Sequence, residues 1–352
     1  MRHKVGTDNR QQTAISPSAP TQTGGLVALT PDVTHDDERL EDLVDVAHRI
    51  RQAIESVIEG KSDVVRMTLT VLLAEGHLLI EDVPGVGKTM LAKALARSID
   101  SSAHRVQFTP DLLPSDITGV SAYNQQTHEF EFKPGPVFAN IVVGDEINRA
   151  SPKTQSALLE CMEEHQVTVD AITYPLEAPF MVIATQNPIE MEGTYPLPEA
   201  QRDRFTAKIA MGYPEPGAEL DMLDHHGAAQ PLDKLEPVAT TAEVRSLIRA
   251  VRQVYVSQPV KRYAIDLVTS TRNSPDLRLG ASPRATLHLI RAARAHAAMT
   301  GRDYVIPDDL QELAGQVLSH RLLPSLEAQG QRRHPEQVMA DLVRRVPVPD
   351  SK

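Results

Sequence analysis

Around Glu41 the run LEDLVDVAHRIRQAIESVI places apolar side chains at helical spacing, and Ser62 and Asp63 open a second helix that runs through Leu73. Short apolar strands separated by helices follow at residues 77–81, 106–108, 141–143 and 180–185. Buried strands that alternate with helices predict a parallel sheet covered on both faces, an α/β fold. Two segments break that rhythm. Residues 117–138 alternate polar and apolar positions about a turn near Gln126, Thr127 and His128, and residues 166–176 do so again, so both predict β-hairpins inserted into the α/β core. Beyond Gly212, Tyr213 and Pro214 the pattern reads as helical to the end, with helices expected at 243–255, 262–271, 283–299 and 307–318. Residues 1–35 are rich in Gln, Thr, Ser, Pro and Gly and carry too few large apolar groups to offset the entropy of ordering. The expected organisation is a disordered tail over 1–35, an α/β domain over 36–229, an α-helical domain over 230–346 and a short tail over 347–352.

Composition narrows the class. The 352 residues carry 36 Lys and Arg against 47 Asp and Glu, a net charge of −11 that argues against wrapping nucleic acid by charge alone. A local basic patch remains open, because residues 141–240 sum to −11 while residues 241–300 sum to +7. The two regions read either as solvated faces or as complementary surfaces between subunits or toward a ligand. The single cysteine, Cys161, permits no intramolecular disulfide, and its place in an apolar helical stripe with Leu158 and Met162 predicts a buried thiol. The first twenty residues lack the apolar run of a signal peptide, and even the apolar stretch before Leu73 carries Arg66, so a cytoplasmic protein with no membrane span is expected.

Residues 77–89 read as a strand, a loop with two glycines, then Lys and Thr opening a helix. Such a loop cradles phosphate. Around Pro84, Gly85, Val86 and Gly87, backbone N–H groups can turn inward, and the helix that continues through Met90 offers its positive end. Lys88 reaches the outer phosphates and Thr89 supplies a hydroxyl to Mg²⁺. Position 82, where a first glycine is usual, is Asp. The strand ending in Asp145 and Glu146 delivers two carboxylates to the carboxyl edge where parallel sheets bind ligands. Asp145 suits the metal shell, and Glu146 suits the proton of a water that attacks the γ-phosphate. At the end of the next strand Asn187 can orient that water. Arg204, at a helix end in LPEAQRDRF, and Arg284, just inside a helix that begins GASPR, are candidate cations for transition-state charge.

The ordered set VPGVGKT, VVGDEINRASPKTQSALLECMEE, VIATQNPIEMEGTYPLPEAQRDRF and GASPRA closely resembles the MoxR family of AAA+ ATPases over roughly residues 45–330. The resemblance implies an AAA+ P-loop NTPase fold with a C-terminal helical lid and the helix-two and pre-sensor hairpin inserts shared with magnesium-chelatase ATPase subunits. It implies a hexameric ring in which Lys88 and Thr89 form the Walker A end, Asp145 and Glu146 the Walker B end, and Asn187 sensor one. Arg204 becomes the finger given to a neighbour's ATP, and Arg284 the sensor-two residue that closes the lid over its own nucleotide. Arg202 stands where the family often has an apolar residue, so Arg202 and Arg204 are alternative trans-acting arginines. Val57 and Ile58 occupy the place of the adenine seat, though β-branched pairs of this kind also serve as core. Asn148 and Arg149 suit either an inter-subunit role or a helix-start role. The adjacent His225 and His226 point about 100° apart on a helix and read as solvated rather than metal-bound.

The expected function is therefore ATP hydrolysis with Mg²⁺ in a homo-oligomeric ring that remodels or activates a protein client. The resemblance adds a separate von Willebrand factor A domain adaptor and a part in assembly or metal-cofactor insertion. A DNA-directed AAA+ motor is the alternative, suggested by the +7 segment and the inserted hairpins. A nucleotide switch or small-molecule kinase fits less well, because Glu146 and two arginine sites favour hydrolysis.

Overall fold

In chain order the strands of the α/β part are β1 (Leu78–Glu81), β2 (Ala103–Gln107), β3 (Gly119–Asn124), β4 (Glu129–Pro134), β5 (Ile141–Asp145), β6 (Gln166–Val169), β7 (Ile172–Pro175), β8 (Met181–Gln186) and β9 (Ala207–Ile209). They belong to a computed structural model that describes residues 34–349 apart from 84, 188–193, 214–216 and 218–230. The expectations for residues 1–33 and for Pro84, His225 and His226 lie outside the described residues.

Five strands form one parallel sheet in the order β2-β5-β8-β1-β9. Side-chain alternation divides the sheet's apolar content between two cores. Leu78, Ile80, Ile141, Val143, Met181 and Ile183 face one core, while Leu79, Val142, Val182 and Ala184 face a second core with Phe108, Leu158 and Phe205. Runs buried on both faces explain why the central strands read as unbroken apolar stretches. The edge strand β2 buries Val106 alone among its five residues, which leaves Arg105 and Gln107 free to serve the site. Its register sets Gln107 beside Asp145.

The helices α1 (Thr34–Glu55), α2 (Ser62–Leu73) and α3 (Lys88–Ser98) cover the first face. On the other face lie the short α4 (Pro114–Thr118) and α5 (Pro152–Glu164), and α6 (Glu199–Arg202) precedes β9. The two expected hairpins form as β3–β4 and β6–β7. They lean on each other through Phe132 and Tyr174, whose rings stack at 4.1 Å. Tyr123 and Phe130 are left exposed on the outer hairpin.

The C-terminal part holds α7 (Thr241–Gln253), α8 (Gln258–Arg272), α9 (Pro283–Met299), α10 (Pro307–Leu318), α11 (Leu326–Gly330) and α12 (Pro335–Arg345). Sequence-level start signals hold here: Thr240 and Glu243 form a reciprocal cap on α7, and Ser257 and Ser282 cap α8 and α9 ahead of a proline. The expectation of helix to the end needs correction. A two-stranded antiparallel ribbon, β10 (Leu277–Leu279) with β11 (Leu323–Pro324), joins the segment before α9 to the segment after α10. Strands this short leave no periodicity to read. The three-residue β9 escaped notice for the same reason. Ala285, Leu289, Ala292 and Ala293 on α9 share the first core with α2, so the lid helices and the sheet are packed as one body.

Candidate active site

The loop after β1 is shaped by its glycines. Gly85 and Gly87 have φ of 87° and 91°, left-handed conformations that favour glycine, and nothing within 4 Å crowds Gly85. Gly87 is the N-cap of α3 and no side chain caps that helix, so its first-turn N–H groups remain available to an anion. Asp82 replaces the usual glycine with a strut. Its carboxylate accepts the N–H of Val83 at 2.7 Å and that of Gly212 at 2.6 Å, which ties the loop to the chain leaving β9. Lys88 Nζ donates to the Asp82 carbonyl at 2.7 Å. Burial draws the Lys88 ammonium below its ordinary range, against the opposing pull of Asp82, Asp145 and Glu146. An ammonium near carboxylates beside a glycine loop is suited to a polyanion.

At the carboxyl edge the strands bring the other expected residues together. Thr89 Oγ1 donates to Asp145 Oδ2 at 3.2 Å, and Thr185 Oγ1 donates to Asp145 Oδ1 at the same distance. Thr185 also accepts the N–H of Glu146 at 3.0 Å. Glu146 stands in a left-handed conformation, φ 58°, and its carboxylate takes Gln107 Nε2 at 2.9 Å and Arg149 Nε at 3.0 Å. Strain of this kind, held in place by its neighbours, is common where a side chain must be aimed. Arg105 Nε contacts Asp145 Oδ2 at 2.5 Å and its guanidinium also reaches Gln107. Asn187 is buried at the end of β8, one strand from Glu146. Val86 and Met90 are half-buried against the first core, as is Val57, while Ile58 lies within it. Asn148 is buried with Oδ1 unpartnered, and Arg149 serves Glu146.

Arg204 and Arg284 lie elsewhere. Arg204 Nε meets Glu163 Oε2 at 3.1 Å, and Arg284 meets the other oxygen of the same carboxylate. Both line a cavity of about 200 Å³ with Gly76 and His77, which precede β1, whereas Lys88 follows it. The four residues of β1 separate the two ends by roughly 13 Å. The lid therefore does not bring Arg284 to the phosphate loop of its own chain, as had been expected. The N-terminus of α9 packs at the amino edge of the sheet. Arg202 is half-buried and its Nε has no hydrogen-bond partner.

Comparison with known proteins agrees with this architecture. Residues 77–207 match the model for the ATPase family associated with various cellular activities (AAA), and residues 269–342 match an AAA lid domain. A crystal structure from Cytophaga hutchinsonii, described as that of an ATPase, superposes with a TM-score of 0.85 at 37% identity, covering 91% of this chain and 99% of that one. The uncharacterized protein YeaC of Bacillus subtilis is 51% identical over 88% of this chain and 97% of its own length. Chaperone MoxR1 of Mycobacterium tuberculosis is 42% identical over 93% of this chain and 90% of its own. Protein MoxR of Methylorubrum extorquens is 30% identical over 88% and 96%. The chain belongs to the MoxR family of AAA+ ATPases.

As a MoxR-family ATPase it binds and hydrolyses ATP. Several residues around its site were not anticipated. Thr185 stood two residues before Asn187 in a motif already noted, and a threonine at a strand end gave no separate signal. Arg105 and Gln107 alternate along an edge strand, a pattern that solvated side chains also produce. Glu163, Asp203 and Arg321 are 40 and 118 residues apart in sequence, and only the fold joins them. Cys161 is buried as expected, and burial pushes its thiol up to about 12, with Glu160 adding to the shift. No helix among the described residues is long and apolar enough to cross a membrane.

Proposed function

We propose that this MoxR-family ATPase works as a chaperone-like homo-oligomeric ring, expected to be a hexamer, in which each nucleotide is held by one copy and completed by the next. The observation that supports the reading is the separation within one chain: Lys88, Thr89, Asp145 and Glu146 meet at the carboxyl edge, and Arg204 and Arg284 meet at the amino edge. A cation that is needed at the γ-phosphate then comes from a neighbour. Arg204 is the finger, and Arg284 reaches the neighbour's nucleotide beside it.

Within the holding copy, Gly85, Val86, Gly87 and the first-turn amides of α3 cradle the phosphates. Lys88 leaves the Asp82 carbonyl for the outer phosphates. The adenine rests on Val57, with Ile58 beneath it and Met90 nearby. The hydroxyl and carboxylate of Thr89 and Asp145 form a donor pair that suits Mg²⁺, a hard cation that supplies charge neutralisation when bound. Asn187 orients the attacking water. Glu146, released from Gln107 and Arg149, takes its proton as oxygen attacks phosphorus, which yields ADP and phosphate.

Similarity to Chaperone MoxR1 supports action on a protein client. The exposed Tyr123 and Phe130 of the outer hairpin offer such a client an apolar contact, with Phe130 73% exposed. The family resemblance supports a cytoplasmic site of action, a von Willebrand factor A domain adaptor and a role in assembly or metal-cofactor insertion. The test is capture by the Glu146→Gln protein in ATP, followed by identification of what stays bound. A protein client retained by this variant and released by the Lys88→Ala protein is the expected result. DNA retained in its place, with DNA-stimulated hydrolysis, would favour a nucleic-acid motor.

A further inference from the structure

Arg204 and Arg284 come from different parts of the fold, one from the turn before β9 and one from the N-terminus of α9, yet they are fastened together twice. At their bases, Asp203 lies between the two. Its Oδ2 accepts the hydroxyl of Ser282, the cap of α9, at 2.8 Å. Its Oδ1 accepts Arg321 Nε at 2.8 Å, and Arg321 is 2% exposed. The rest of that guanidinium is spent on the carbonyls of Asp203, Phe205, Thr206 and Val317. The buried cation thus fixes the turn that projects Arg204 to the end of α10. At their tips, the single carboxylate of Glu163 gives one oxygen to each arginine. Arg291 and Glu75 line the same cavity, and Glu75 is engaged by Arg252.

The arrangement has a physical consequence. Two arginines on separate elements, without an intervening anion, repel each other and scatter over many rotamers. Shared anchoring removes that freedom before the partner copy arrives, so both cations meet a triphosphate in one geometry. We propose that Glu163 is a positioning residue that holds Arg204 and Arg284 as one preassembled two-cation unit, seated on the Asp203–Arg321 pair and aimed at the nucleotide of a second copy of this chain. The proposal rests on the trans role of Arg204 set out above and adds that neither arginine acts independently.

The test is steady-state ATPase kinetics on the full-length assembled protein carrying Glu163→Gln, with Arg204→Ala and Arg284→Ala made singly and together in both backgrounds. Glu163 is 35% exposed, so its replacement leaves the core intact, and Ser282→Ala provides a second variant that loosens the base instead of the tips. Glu163→Gln is expected to lower kcat on the order of ten- to a hundredfold with KM for ATP nearly unchanged, and Glu163→Asp to recover part of the loss. In the original background the double arginine variant loses scarcely more than either single one. In the Glu163→Gln background the two losses become additive. Wild-type kcat in Glu163→Gln, a rise in kcat, or additivity already present in the original background would overturn the proposal. Full activity of Arg204→Ala would instead remove the trans reading beneath it, so the two failures are told apart.

Discussion

The two edges of one sheet are built differently, and the proposed ring gives them different work. At the carboxyl edge a mobile substrate must be gripped, and the groups there hold one another by exchangeable contacts: Lys88 on a carbonyl, Glu146 on Gln107 and Arg149, Thr89 on Asp145. At the amino edge the cations are fixed by a buried ion pair and a shared carboxylate. A site that must release its product tolerates loose holding, whereas a device offered to a neighbour gains from being rigid before contact. In the proposed ring the same sheet would separate binding from completion, and each chain would carry half of two sites.

The sharpest way to break that contrast is chemical. Glu146→Gln is expected to lower kcat by about a thousandfold while ATP stays bound and folding stability is unchanged, as read by turnover, nucleotide titration and urea unfolding. Retained turnover would remove Glu146 from the carboxyl edge's chemistry. Asp203→Ala probes the other edge and should act on stability, because it leaves Arg321 buried without its partner. Breaking a pair of this kind costs about 3–5 kcal/mol, visible as a lower urea midpoint. Burial draws the Arg321 guanidinium down to about 10, with Asp203 pulling the other way, so the group stays charged at neutral pH and its orphaning is felt.

A smaller effect comes from acid. Burial holds His77 down at about 4 against an ordinary 6.5, and it also pulls His288 and His320 below their usual range. A neutral buried histidine protonates more readily once unfolded, so its stabilising contribution is present above about pH 6.5 and is lost as pH falls toward 4. For His77 the loss amounts to ~3 kcal/mol. Thermal midpoints measured across that window should fall, and His77→Gln should flatten the fall. Its Nδ1 accepts the Val182 N–H and its Nε2 meets the Met162 carbonyl, both of which an amide can replace. An unchanged slope in His77→Gln would assign the acid sensitivity to other groups.

The phosphate loop at the carboxyl edge was legible because its residues are contiguous. A strand, a glycine loop and the pair Lys88–Thr89 occupy thirteen consecutive positions, and backbone geometry alone converts that spacing into a cradle. The central strands were legible too, since burial on both faces writes an apolar run. The amino edge was not. Arg204 and Arg284 were found by motif, but their shared use of Glu163 depends on where α9 starts relative to α5, and no local pattern encodes that distance. The lid's orientation over the wrong edge for in-chain closure likewise depends on α9 packing against α2, through small residues that any helix contact would favour. Edge-strand residues such as Arg105 and Gln107 failed for a third reason: polar alternation on β2 looks the same whether the side chains face water or a carboxylate.

One measurement bears on the division most directly. The Lys88→Ala protein keeps its arginines but not its phosphate grip, and the Arg204→Ala protein keeps its grip but not its finger. Each alone should be nearly inactive. Mixed in equal amounts and allowed to assemble, they are expected to regain ATPase activity at the junctions where an intact grip meets an intact finger. A mixture no more active than either variant alone would contradict the account.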